Sequence, residues 1–118
     1  CNVDVIQEAE KLDVVSIPGT FTATEMETAH RAGADFVKLF PAPANVAEYI
    51  RFILAPLPYL KIFPTSGVNL DNMLDVLQAG AAGIGFVRPL FDPEMIHNKN
   101  YGGIRQRAEA IVGRLASL

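Results

Sequence analysis

The sequence predicts an α/β fold of four parallel β/α units, half the complement of a (β/α)8 TIM barrel. Three observations predict it. Strand-like and helix-like segments alternate along the chain. Pro18, Pro41 and Pro64 each end a strand-like run at a constant interval of 23 residues, and the next step reaches Val87 at the end of a fourth run. The turn after the first run, Pro18-Gly19-Thr20, lacks the glycine-rich fingerprint of a doubly wound sheet. Regular β/α units imply right-handed crossovers and a parallel sheet. A full barrel takes about 250 residues, and this chain has 118. Four strands cannot close a ring, and open edges expose unpaired backbone. The expectation is therefore one domain over residues 1–118, the C-terminal half of a barrel whose N-terminal half is absent. A start at Cys1 rather than Met points the same way.

Each element has a local reason. VDVIQEAEKL reads as a short helix ahead of the first strand, DVVSI at 13–17. Thr22 and Glu25 have capping-box spacing, which predicts a helix that ends near Gly33. FVKLF, residues 36–40, is the second strand. Val46, Ile50, Ile53 and Leu54 recur at helical spacing until Pro56. LKIF, residues 60–63, is the third strand. Asn69 then caps a helix carrying Leu70, Met73, Leu74 and Leu77, stopped by Gly80. GIGFV, residues 83–87, is the fourth strand. One helical turn is predicted at Asp92-Pro93, and a last helix places Ile104, Ala108, Ile111, Val112 and Leu115 on one face.

Composition narrows the function classes. Half of the residues are hydrophobic and 19% are charged, with a net charge of −3. This is a globular balance with no electrostatic attraction to nucleic acid or an anionic membrane. No apolar run is long enough to span a bilayer, and no signal-peptide layout opens the chain. The single cysteine, Cys1, forms no internal disulfide and is compatible with a reducing, cytoplasmic setting. His30 and His97 are isolated, and no Cys/His spacing resembles a zinc site, so no metal is expected.

In a barrel the chemistry sits at the C-terminal ends of the strands. Lys38 lies there among Phe36, Val37, Leu39 and Phe40. An amine is costly to bury, and desolvation favours its neutral, nucleophilic form. The ordinary alternative is an outward or snorkelling lysine. Lys61 is a rival, because it also precedes a strand-ending proline by three residues. If the prolines mark equal height, the two lysines point to opposite faces and only one faces inward. Pro64-Thr65-Ser66-Gly67 is either a plain turn or an anion cradle. Gly83 and Gly85 mark a close backbone approach or simple packing. Arg88 can pair with an anion or stay solvated. Glu25 and Glu27 read as helix caps rather than acid–base catalysts, and His97 as a surface residue.

IPGTFTATE, AGADFVKLFPA, FPTSGVNLDN and AGAAGIGF, in this order, closely resemble the C-terminal half of the KDPG/KHG aldolase family. These class I aldolases cleave 2-keto-3-deoxy-6-phosphogluconate or 4-hydroxy-2-oxoglutarate and release pyruvate. The resemblance implies strands 5 to 8 of a trimeric barrel acting on a small 2-keto acid without a cofactor. It places Lys38, in VKLFPA, on the Schiff-base lysine, and makes Lys61 the outward residue of the next strand. Phe40 matches an aromatic that contacts the pyruvyl group, and Pro18 and Gly19 a pocket-lining turn. Thr65, Ser66 and Gly67 match the T-G-G phosphate loop, and Gly85 lies in the last strand beside it. Val87 stands where the family often has a phosphate-binding serine, and PAPANVAEY lacks the usual glycines. The family's general-base glutamate and carboxylate-binding arginine belong to its N-terminal half, so this chain is expected to be an incomplete catalyst alone. The alternatives are a non-catalytic binding member, or another phosphate-binding barrel enzyme such as an isomerase.

Overall fold

The computed structural model describes residues 1–116. In chain order the elements are α1 (Val3–Lys11), β1 (Gly19–Thr20), α2 (Ala23–Arg31), β2 (Val37–Leu39), α3 (Val46–Leu54), β3 (Ile62–Pro64), α4 (Met73–Gln78), α5 (Pro93–His97) and α6 (Tyr101–Leu115). The strands form one parallel sheet in the order β1-β2-β3.

The helices begin where local chemistry says they should. Thr22 and Glu25 make the reciprocal capping box, and Gly33 follows α2 with a φ of 99°. Asp92 caps α5 with Pro93 in its first turn. Asn69 holds a turn by accepting the N–H groups of Asp71 and Asn72, and regular helix starts only at Met73. The core is one cluster against one face of the sheet. Val37, Leu39 and Ile62 meet Met26 and Ala29 of α2, Val46, Ile50 and Ile53 of α3, and Met73 and Val76 of α4. Ile6 of α1 and Ile111 of α6 also belong to it. Val112 does not share that face; it is 65% exposed.

The expected four-stranded half barrel is not what forms: the described residues make a three-stranded sheet flanked by six helices. Two physical reasons stop the fourth strand. Ile62 and Pro64 accept from Ala82 and Gly85, so the 82–85 segment uses three residues where β3 uses two. That extra residue breaks the ladder as a bulge does. Pro64 also has no N–H to give that neighbour. Only an isolated bridge between Thr65 and Gly85 remains. The first strand is likewise displaced from 13–17 to 19–20. Val14 N–H closes back on the Ala9 carbonyl behind α1, and Ser16 N–H goes to the Asp35 carboxylate at 2.8 Å.

The proline period does not mark equal height. Leu39, not Pro41, pairs with Pro64. This offset decides where the lysines point.

Candidate functional site

β2 alternates buried, half-buried, buried: Val37 and Leu39 face the helices and Lys38 faces the other way. Register extends that second face across the sheet. Gly19 of β1 pairs with Lys38, and Lys38 with Phe63 of β3. Phe36 and Phe40 lie on the same face by alternation along the chain, as do Lys61 and Thr65 beside β3.

Lys38 is half-buried rather than enclosed, and its Nζ sits 4.7 Å from the centroid of the Phe40 ring. Below it, Phe36 and Phe63 pack edge to face at 6.2 Å. On the β1 side, a Cβ placed on Gly19 would meet nothing within 4 Å. The flank of Lys38 toward β1 is therefore clear for a small molecule, while its other neighbours are aromatic. Phe40 itself is 49% exposed.

The two lysines share this face, which corrects the expectation that they point oppositely. Lys61 accepts Val37 N–H through its carbonyl, level with Phe36, and its Nζ lies 5.7 Å from the Phe36 ring. What separates the lysines is height: Lys38 is toward the C-terminal end of the strands and Lys61 at their entry.

The other expected residues are placed as follows. Pro18 contributes its carbonyl, which accepts Lys38 N–H at 2.9 Å, and lines an apolar groove of about 410 Å³ against α1 that excludes Lys38. The side chains of Phe63 and Thr65 lie so close over Gly83 and Gly85 that a Cβ on either glycine would overlap them. Thr65 thus shares the face of Lys38, with Gly85 beneath it. Ser66 and Gly67 follow with φ of 63° and 95°. The carbonyls of Thr65 and Ser66 accept Ala42 N–H at 3.2 and 3.1 Å, and that of Gly67 accepts Asn72 Nδ2–H at 3.0 Å. The loop is therefore tied to the chain leaving β2. Val87 and Arg88 are exposed; the Arg88 carbonyl accepts from Arg107 at 3.3 Å.

Glu25 is confirmed as a cap. The N–H groups of Thr22 and Phe21 donate to it and hold its carboxyl below the ordinary range. Glu27 is not a cap. It accepts the Tyr59 hydroxyl at 2.7 Å and Arg31 Nε–H at 2.6 Å, and these bonds lower its pKa while raising those of Tyr59 and Arg31. Tyr59 also packs against His30 at 5.0 Å. The Glu27–Arg31 spacing is readable from sequence, but Tyr59, 32 residues away, is not. Sequence reasoning also missed Thr20, whose buried hydroxyl donates to the Lys38 carbonyl at 3.0 Å.

Residues 1–107 match the family model described as KDPG and KHG aldolase. The chain belongs to this aldolase family. It is 37% identical over 89 residues to the 2-dehydro-3-deoxy-6-phosphogalactonate aldolase of Escherichia coli (strain K12), covering 75% of this chain and 43% of that relative. A solved structure described as native KDPGal superposes with a TM-score of 0.86 at 31% identity, over 99% of this chain and 55% of that one. A cube-shaped protein cage, designed by fusing symmetric oligomeric domains, matches with a TM-score of 0.72 at 28% identity, over 99% of this chain and 51% of that chain. The chain thus spans about half the length of the family members it matches. Among the described residues, no helix is long and apolar enough to cross a membrane.

Proposed function

We propose that this chain carries the nucleophilic half of a class I aldolase acting on a 2-keto-3-deoxy sugar acid, phosphorylated or not, or on 4-hydroxy-2-oxoglutarate. The observation that carries the reading is Lys38: an amine on the non-core face of the sheet, toward the C-terminal strand ends, with the clear flank of Gly19 on one side and Phe40 against it. The family membership supplies the reaction class.

In this reading Lys38 Nζ attacks the C2 ketone, and loss of water gives an iminium. A base takes the proton of the C4 hydroxyl, the C3–C4 bond breaks, and its electron pair moves toward the iminium nitrogen. The aldehyde leaves and an enamine remains. Protonation at C3 and addition of water release pyruvate and restore Lys38. Phe40 and Gly19 bound the pyruvyl portion, with Pro18 holding the Lys38 backbone. Thr65, Ser66, Gly67 and Gly85 receive the distal, anionic end of the substrate. The base and the group that binds the substrate carboxylate come from residues outside this chain's 118. The catalytic assembly is a homo-oligomer, a trimer by family resemblance.

The test uses the intact protein with pyruvate and borohydride. Reduction is expected to leave a covalent adduct on the peptide containing Lys38. A Lys38→Ala variant that traps as much adduct as wild type would exclude the assignment.

A further inference from the structure

We infer that Thr20 is a positioning residue for Lys38, acting through the peptide backbone; this rests on Lys38 being the nucleophile. Thr20 is 3% exposed and is the buried polar side chain of the described core. Its hydroxyl donates to the carbonyl of Lys38 itself at 3.0 Å. Its neighbour across the ladder is Leu39, which is fully buried. Packing alone does not explain a hydroxyl here, since valine would fill the same volume without a polar group to desolvate. The hydroxyl is satisfied by one specific acceptor, as a buried polar group must be.

The need for that bond follows from the shortness of β1. β1 is two residues long and pairs with β2 through Gly19 and Thr20. Its backbone ties to β2 include Lys38 N–H to Pro18 at 2.9 Å and Phe40 N–H to Thr20 at 3.0 Å. The Thr20 side chain adds a tie at the lysine's own peptide, from the face opposite to the lysine side chain. It therefore fixes the Cα–Cβ direction of Lys38 against Gly19 without touching the reacting amine. An error of about 1 Å in placing a nucleophile costs on the order of a hundredfold in rate.

The experiment compares wild type, Thr20→Val, Thr20→Ser and Lys38→Ala as intact proteins. The initial rate of borohydride trapping is measured against pyruvate concentration, with folding checked by thermal melting. Thr20→Val is expected to lower the saturating rate by roughly tenfold, with the half-saturating pyruvate concentration unchanged. Thr20→Ser, which keeps the donor, recovers most of that rate. If Thr20→Val does not fold, Thr20→Ala against Thr20→Ser makes the same comparison. A folded variant without the hydroxyl that traps at the wild-type rate overturns the inference, as does a serine variant as slow as the valine or alanine one. Undiminished trapping by Lys38→Ala would instead remove the nucleophile assignment, so the two failures are distinct.

Discussion

Gly67 is the position at which the loop after β3 is least able to accept a side chain. Its φ is 95°, and a Cβ there would lie 2.9 Å from the Ala42 carbonyl oxygen. Two separate costs follow for Gly67→Ala. A left-handed backbone costs an L-residue about 1–2 kcal/mol. The contact with Ala42 adds about 1–3 kcal/mol, the usual range for overpacking. It cannot be relieved cheaply, because Ala42 N–H is held by the carbonyls of Thr65 and Ser66, and the Gly67 carbonyl is held by Asn72. The expected loss is about 2–5 kcal/mol, read as a lower urea midpoint at unchanged m. Gly113→Ala is the internal control. Gly113 lies inside α6 with open space around it, so alanine should stabilise by about 0.5–1 kcal/mol. A Gly67→Ala loss below about 0.5 kcal/mol, the range of a neutral surface change, would refute the claim that this loop is clamped.

Three further outcomes follow from other contacts. Thr22→Ala removes the capping box of α2 and should cost about 1 kcal/mol in chemical denaturation. Tyr59→Phe tests the Glu27 cluster. The Glu27 pKa is lowered from 4.5, so its contribution is present above that value and fades as pH falls through the lowered one; the Tyr59 pKa is raised from 10.0, so its share fades as pH rises through the raised value. The melting-temperature advantage of wild type over Tyr59→Phe should therefore be widest between roughly pH 5 and 9 and narrow at both ends; an advantage independent of pH would contradict the cluster. Lys61→Gln should leave pyruvate trapping intact, since Lys61 stands at the strand entry over Phe36 rather than beside Gly19 and Phe40; loss of trapping would make it the nucleophile.

The parts of the fold that depend on neighbours in sequence were legible. The Thr22–Glu25 box, the Asp92-Pro93 start and the stop at Gly33 are one-turn decisions, written within a few residues. Strand pairing is not written that way. The interval of 23 suggested prolines at one height, whereas the register sets Leu39 against Pro64. The same missing information hid two facts: Lys38 and Lys61 share a face, and the 82–85 segment bulges away from β3. The burial of Lys38 was overestimated for a related reason. Its apolar sequence neighbours Val37 and Leu39 point to the opposite face, so they enclose the core and not the amine. Motif resemblance identified Lys38 as the nucleophile candidate where periodicity left two lysines open. It carried no information on Thr20, because a hydroxyl bonded to a lysine carbonyl 18 residues away is visible only once the strands are paired.

The measurement closest to the central claim is mass mapping of the borohydride-reduced pyruvate adduct in the intact protein. The proposed function predicts a single modified peptide containing Lys38, absent in Lys38→Ala and retained in Lys61→Gln. An adduct on Lys61, or equal trapping after Lys38 is removed, would contradict it.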